Sequence, residues 1–324
     1  MARFDPQHVS LLNIGDSVVV LTDGGGASGI GAALVRSLFA QDCVVIFGDL
    51  DEENAKSVIA ETSPLRVRFV RSDARSNIDN LSLFEVAWEA YSRVDHAIAN
   101  AGVVKQGGWF DRACVDEIMA MKMPPPTLTL DVNLTGMVYF AHIACTFLAE
   151  GNIGPNGMIL RDKRLPLLSS LTGWKETPRR FLYQASKHGI LGLLRAMSLC
   201  IPNFYKDVRV NIISPAMAET RMVTKWRDTY LRNGSPPDQP EDVARAIVGV
   251  CRARPGTQAV WYDELAAPGV KCSPSVGGMD WDYTMKRGVT GRNMFVQAGK
   301  CYDIEEGLEQ TENLWLGNEA SDIV

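Results

Sequence analysis

A chain of 324 residues, 46% hydrophobic and 22% charged, has the composition of an ordinary globular protein with a sizeable core, enough for one large α/β domain or two small ones. Its net charge of -5 gives no basis for binding nucleic acid or an anionic membrane surface. The seven cysteines include no C-x-x-C pair, and the four histidines show no ligand spacing. That pattern suits reduced thiols in the cytoplasm and predicts neither a disulfide framework nor a metal site. No purely apolar stretch approaches the about 18 to 20 residues that span a bilayer, and residues 1–16 lack a basic start followed by an apolar run. The expectation is a soluble, untargeted protein.

In chain order, Ser17-Val-Val-Val-Leu-Thr22 is a short β-branched run that suits a buried parallel strand. A glycine turn from Asp23 to Gly31 follows, then the helix-like Ala32–Phe39. Strand, glycine turn and helix form the context in which backbone N–H groups and a helix N-terminus hold a pyrophosphate. Two frames fit the glycines: Gly24, Gly26 and Gly29 as G-x-G-x-x-G, or Gly25, Gly29 and Gly31 as G-x-x-x-G-x-G. A second strand, Cys43–Asp49, ends in an acid 18 residues after Gly31. A carboxylate there can accept hydrogen bonds from adenosine ribose hydroxyls and repel a 2′-phosphate, which predicts NAD rather than NADP. The alternative role for Asp49, compatible with the first, is to cap the helix that begins near Glu52.

Arg66–Arg71 alternates polar and apolar residues as a third strand ending at Ser72-Asp73, and residues 77–92 read as an amphipathic helix. A fourth strand, Asp95–Ala99, runs into Asn100-Ala101-Gly102. This alternation specifies a doubly wound parallel sheet, a Rossmann fold with helices on both faces. Pro124-Pro125-Pro126 closes an irregular stretch. A helical pattern then runs from Thr127 to Phe147, with the polar Asn133 inside its apolar positions. Leu165–Leu168 leads to Ser169-Ser170-Leu171-Thr172-Gly173.

Tyr183 and Lys187 stand four apart on the next predicted helix, so both project from one face. A neighbouring cation favours phenolate, which makes the pair a plausible acid/base unit, although such pairs also occur on solvated helix faces. Val208–Ser214 is another strand, reaching Pro215-Ala216, and Pro240-Glu241-Asp242 starts a helix ending near Cys251. The best closing strand, Asn293–Gln297, comes only after a Gly-, Pro- and Asp-rich insertion near residues 262–292. That insertion could shape the pocket or a subunit contact. The tail, residues 299–324, has apolar content suited to packing on the body or on a partner.

Gly25/Gly29/Gly31, Asn100-Ala101-Gly102 and Tyr183-x-x-x-Lys187 together resemble the short-chain dehydrogenase/reductase family over roughly residues 15 to 255. The Asp95–Asn100 run and the Glu305-Glu306-Gly307 tail are similar to fungal members related to 15-hydroxyprostaglandin dehydrogenase. The resemblance selects the longer glycine frame, and the expectation is one domain over 1–324; the mixed apolar segment near 216–238, with Met217, Met222, Trp226 and Tyr230, reads as a substrate lid or, compatibly, an ordinary amphipathic helix. It implies a catalytic set in which Tyr183 exchanges the proton and Lys187 lowers its pKa. Ser170, 13 residues before Tyr183, would position the substrate oxygen in preference to Ser169, and Asn133 would complete the proton path. Cofactor contacts are implied at Gly25, Ser28, Gly29, Ile30, Gly31, Asp49, Leu50, Asp73, Ala74, Asn100, Ala101, Gly102, Tyr183, Lys187, Pro215 and Thr220. Ala216 departs from the family's usual Pro-Gly. The resemblance implies an NAD-dependent oxidoreductase acting on a hydrophobic secondary alcohol or ketone, assembled as a homodimer or homotetramer. Trp109, Phe110, Trp174, Met217 and Trp226 fall on segments near the expected pocket. A non-redox enzyme of the same fold, catalysing dehydration or cyclisation, and a nucleotide-sensing regulator remain as alternatives; the intact Ser170, Tyr183 and Lys187 set weighs against the second.

Overall fold

A computed structural model describes residues 2–4, 13–25, 29–104, 112–119, 126–150, 162–205, 207–224, 227–232, 236–253 and 290–310. Ser28, Trp109, Phe110, Trp226 and most of the 262–292 insertion lie outside the described residues, as does the tail beyond 310. The strands are β1 (Ala2–Phe4), β2 (Val18–Thr22), β3 (Val44–Asp49), β4 (Val67–Arg71), β5 (His96–Ile98), β6 (Lys163–Leu168), β7 (Val208–Pro215), β8 (Asn293–Gln297) and β9 (Lys300–Asp303). They form one sheet in the order β1-β9-β8-β7-β6-β5-β2-β3-β4. From β4 to β8 every pairing is parallel, and β9 and β1 add an antiparallel edge.

The chain winds outward from β2 to β4, then crosses back to β5 on the other side of β2. That reversal leaves a crevice beyond the carboxyl ends of β2 and β5, where open α/β sheets bind ligands. Residues alternate between two cores. Val19 and Leu21 face one built with α1 (Ile30–Phe39), α2 (Glu52–Ala60) and α9 (Pro240–Arg252). Val18 and Val20 face the other, built with α3 (Asn77–Tyr91), α6 (Gly136–Glu150) and α7 (Phe181–Phe204); α4 (Arg112–Met119), α5 (Leu128–Leu130) and α8 (Arg227–Arg232) are shorter helices. Each fully buried Val, Leu, Ile or Phe contributes about 1.5–3 kcal/mol, so burial on both faces explains the near-continuous apolar strands. The helical stretch Leu128–Glu150 is long and apolar enough to cross a membrane, yet Met137, Phe140, Ala144 and Leu148 belong to the second core.

β1, which pairs antiparallel with β9, was absent from the sequence reading, and two further strands differ from it. β6 begins at Lys163, two residues before the apolar run, because its cations find partners indoors. Lys163 Nζ donates to the Val94 carbonyl at 2.7 Å and to Asp95 at 2.8 Å. Arg164 donates to the Val250 carbonyl at 3.0 Å and to the Ala253 carbonyl, closing the C-terminus of α9, while pairing with Asp162, which also meets Arg209. Pro166 is tolerated mid-sheet because the β5–β6 ladder, formed at His96–Arg164, resumes only at Ala99–Leu167. The lost N–H faces that gap. The second difference is β9, which sequence periodicity left unassigned within the tail; it folds back on β8 through the two residues Ala298 and Gly299, at φ 51° and 71°.

Candidate active site

A cleft of about 210 Å3 opens at the crevice, lined among others by Gly29, Ile30, Asn100, Gly102, Ser169, Ser170, Tyr183, Lys187, Pro215 and Thr220. Ten sequence-predicted or weighed positions, drawn from six segments, thus meet at one place. Asp49 and Gly25 lie alongside: the Gly25 N–H donates to Asp49 Oδ2 at 2.8 Å, and the Asp51 N–H to Oδ1 at 2.9 Å. Close approach explains the glycines. A Cβ on Gly25 would stand 2.9 Å from Asp49 Oδ2, and one on Gly31 only 1.7 Å from the Asp23 carbonyl oxygen. At the start of α1, Gly29 supplies no side-chain cap and no acidic residue occupies the first turn. The positive helix end therefore faces the cleft, ready for an anion.

Asn100 binds the turn: its Nδ2 donates to the Asp23 carbonyl at 3.0 Å, while the Asn100 and Ala101 N–H groups donate to Thr22 Oγ1 at 3.0 and 3.1 Å. Its Oδ1 is buried without a partner among the described residues. Asp73 is paired with Arg75 at 2.6 Å, which lowers its carboxyl pKa. Leu50 is exposed, and Ala74 and Ala101 line a small neighbouring cavity with Thr22 and Asn80 rather than the main cleft. These outlying positions follow the carboxyl ends of β3, β4 and β5.

On the other wall, Asn133 sits fully buried in a π-helical turn, Asp131–Thr135, that interrupts the helix leading into α6. Such a bulge turns the amide inward. Its Oδ1 accepts from the Val103 N–H at 2.7 Å, and its Nδ2 donates to the Val103 carbonyl at 2.9 Å and to Ser186 Oγ at 3.2 Å. Ser186 Oγ in turn donates to the Tyr183 carbonyl at 2.7 Å. Lys187, buried at 2% exposure, donates from Nζ to the Leu168 carbonyl at 2.9 Å and lies 5.6 Å from the Tyr183 ring centre. Burial brings its pKa down to about 7. The two serines separate by partner: Ser169 Oγ donates to the Lys187 carbonyl at 3.2 Å, whereas Ser170 Oγ accepts the Thr172 N–H at 3.3 Å. Ser169 is a brace between strand and helix.

Several residues escaped the sequence reading. Asp23, in left-handed conformation at φ 56°, lines the cleft; burial and the adjacent Asp49 carboxylate push its carboxyl well above the ordinary range. Its position inside a glycine run was the available signal. Arg180 and Arg221 also line the cleft, and nothing in their spacing marked them.

The donor set suits a dinucleotide: a glycine cradle against Asp49 and, among the described residues, an uncapped helix N-terminus and an Asn100 oxygen without a partner. Residues 17–231 match the short chain dehydrogenase family. A short-chain dehydrogenase/reductase of Acremonium egyptiacum is 33% identical over 240 residues, 74% of this chain and 75% of that protein. The NAD(+)-named 15-hydroxyprostaglandin dehydrogenase of Mus musculus is 25% identical over 213 residues, 64% of this chain and 70% of that one. A Brucella melitensis short-chain dehydrogenase/reductase of known structure superposes with a TM-score of 0.61 at 22% identity, covering 75% of this chain and 91% of that one. The chain belongs to the short-chain dehydrogenase/reductase family, a class of oxidoreductases that use nicotinamide dinucleotides.

Proposed function

We propose that this protein is an NAD(H)-dependent oxidoreductase that interconverts a hydrophobic secondary alcohol and its ketone. The observation that carries the reading is the convergence of Ser170, Tyr183 and Lys187 in one cleft at the sheet's switch point. Bound NAD would supply the hydride acceptor, and NADH the donor. Ser170 Oγ orients the substrate oxygen by a hydrogen bond. Tyr183 Oη takes the proton from the alcohol or returns it to the ketone. Lys187, cationic beside that phenol, favours phenolate and steadies the cofactor's sugar. Asn133, tied to Val103 and Ser186, keeps the π turn open for proton exchange toward Lys187. Leu168, Met217, Met222 and Val223 line the same cleft and favour an apolar substrate body.

Asp49 supports NAD over NADP. Its carboxylate lies against Gly25 at the end of β3, a negative charge that opposes an extra phosphate. The NAD(+) dependence in the name of the mouse relative points the same way. The test is a paired fluorescence titration with NADH and NADPH, followed by turnover of secondary alcohols by wild type and Tyr183→Phe. Preferential NADH binding, with turnover cut by about 10²–10⁴-fold in the variant, is expected. Full turnover by Tyr183→Phe would remove the proton-transfer role, and a preference for NADPH would overturn the Asp49 argument.

A further inference from the structure

The wall of the cleft formed by Met217, Ala218 and Thr220 has an unusual support. It is held from behind by Asp238, which is 1% exposed. The backbone of Asp238 forms a parallel bridge with Ala218: its N–H donates to the Met217 carbonyl at 2.7 Å, and its carbonyl accepts the Glu219 N–H at 2.8 Å. Its side chain reaches the opposite way. Oδ1 accepts the Gly299 N–H at 2.8 Å, at the left-handed turn between β8 and β9, while Oδ2 is buried with no partner among the described residues.

The same hairpin braces the cleft at two further points. The Ala216 N–H donates to the Val296 carbonyl at 2.8 Å. Trp174, just past the turn that follows Ser170, meets Phe295 edge-on at 5.4 Å between ring centres. The β8–β9 hairpin thus carries both the Ser170 side and the Thr220 side of the cleft, and the Asp238 side chain joins its turn to the Thr220 arm.

We propose that Asp238 is a positioning residue: its carboxylate clamps the Met217–Thr220 arm to the β8–β9 turn, and loss of its charge loosens the arm and weakens dinucleotide binding. The inference rests on the reading that the cleft takes a nicotinamide dinucleotide. An ionised carboxylate accepts the turn N–H roughly twice as strongly as a neutral acid. Protonation would also place a donor on Oδ2, which faces no acceptor among the described residues.

Burial pushes this carboxyl up to about 6, against the pull of the Gly299 and Ala298 N–H groups, so the clamp would titrate close to neutrality. The groups around it are acidic or already occupied. Asp242 on α9 raises the value further and is itself paired with Arg245. Cys301 on β9 stands within electrostatic reach. Glu219 on the arm is engaged by Arg227 and Gln239, and Lys300 beside the turn is exposed.

The test is NADH titration of wild type and Asp238→Asn between pH 5 and 8, with amide hydrogen exchange of residues 216–224 in the cofactor-free protein. Wild type should lose affinity on acidification through about pH 6. Asp238→Asn, similar in shape but uncharged, should bind about tenfold more weakly at pH 7.5 and show no acid decline. Its Ala218 and Glu219 amides should exchange faster at an unchanged cooperative melt. Wild-type affinity in the variant, with the acid decline intact, would overturn the clamp. Should the variant not fold, wild type decides alone: exchange in 216–224 that, corrected for intrinsic rates, does not rise below pH 6 sinks the proposal. If wild type binds neither NADH nor NADPH, the cofactor reading fails, and the exchange data still judge Asp238 separately.

Discussion

Lys187 Nζ stands 5.6 Å from the centre of the Tyr183 ring while donating a 2.9 Å hydrogen bond to the Leu168 carbonyl. The lysine is thus fixed from the strand side next to the phenol, but in a site that strips away its water. Burial lowers its pKa from 10.5 to about 7. Between those values the unfolded chain holds one proton more than the folded one, so stability falls as pH drops from 10.5 to 7. Below that range the loss is complete. Lys187→Met should therefore melt higher than wild type at pH 6–7, by up to a few kcal/mol, and the gap should close toward pH 10. Turnover should fall by about 10²–10⁴-fold. Thermal melts across pH check the first half; a variant less stable at every pH would show that packing outweighs desolvation.

Asp23 has the opposite sign. Burial and Asp49 raise its folded pKa well above 3.8, so the native state holds a proton that the unfolded chain has released. That linkage lowers stability as pH rises from 3.8 to the folded value, and the loss persists above it. Asp23→Asn should accordingly be more stable than wild type at pH 7–8, with the advantage fading toward pH 4. Melts in a pH series measure this, and a constant offset would mean that the carboxyl pair does not govern the effect.

Most of the site was legible because its chemistry repeats on fixed backbone features. The glycine turn, Asp49 at a strand end and the four-residue step from Tyr183 to Lys187 follow from local geometry, the family resemblance selected the Gly25/Gly29/Gly31 frame, and the structure brings these residues around one crevice. What sequence could not show were contacts between distant segments. Lys163 and Arg164 precede the apolar run that marked the strand, and Asp95, the Val94 carbonyl, Asp162 and the carbonyls at the end of α9 make their burial possible. Asn133 was visible as a polar residue in an apolar stripe, but the π turn that aims it at Val103 was not. β9 was hidden because Lys300-Cys-Tyr-Asp303 is short and follows a turn of Ala-Gly rather than Asn-Gly.

Arg164 tests how far that buried network stabilises the far end of the sheet. Its guanidinium is fully buried and spans Asp162, Val250 and Ala253. Arg164→Leu would leave two helix-end carbonyls and part of a carboxylate unpaired, an expected loss of about 3–5 kcal/mol. Urea unfolding would show it as a lower midpoint. Lys56→Ala, breaking the exposed pair with Glu53, should leave that midpoint unmoved. Equal effects from the two substitutions would mean that the buried network adds nothing beyond a surface pair.

The β8–β9 turn offers a gain rather than a loss. Gln297 pairs with Lys300, so Ala298 and Gly299 form a two-residue loop with both φ angles positive, 51° and 71°. Strand twist favours this turn, yet an alanine held left-handed costs about 1–2 kcal/mol. Asparagine tolerates that conformation through local hydrogen bonding and adds no glycine-like freedom to the unfolded chain. Ala298 is exposed, so a larger side chain meets no packed core. Ala298→Asn should stabilise by about 0.5–1 kcal/mol, raising the melting temperature by roughly 1–4 °C. Gly299→Ala should do the reverse, because it imposes the same strain and sets a Cβ 3.3 Å from Asp242 Oδ1. Thermal melts of the two variants beside wild type decide it, and a destabilised Ala298→Asn would mean that left-handed strain at Ala298 does not limit the stability of the turn.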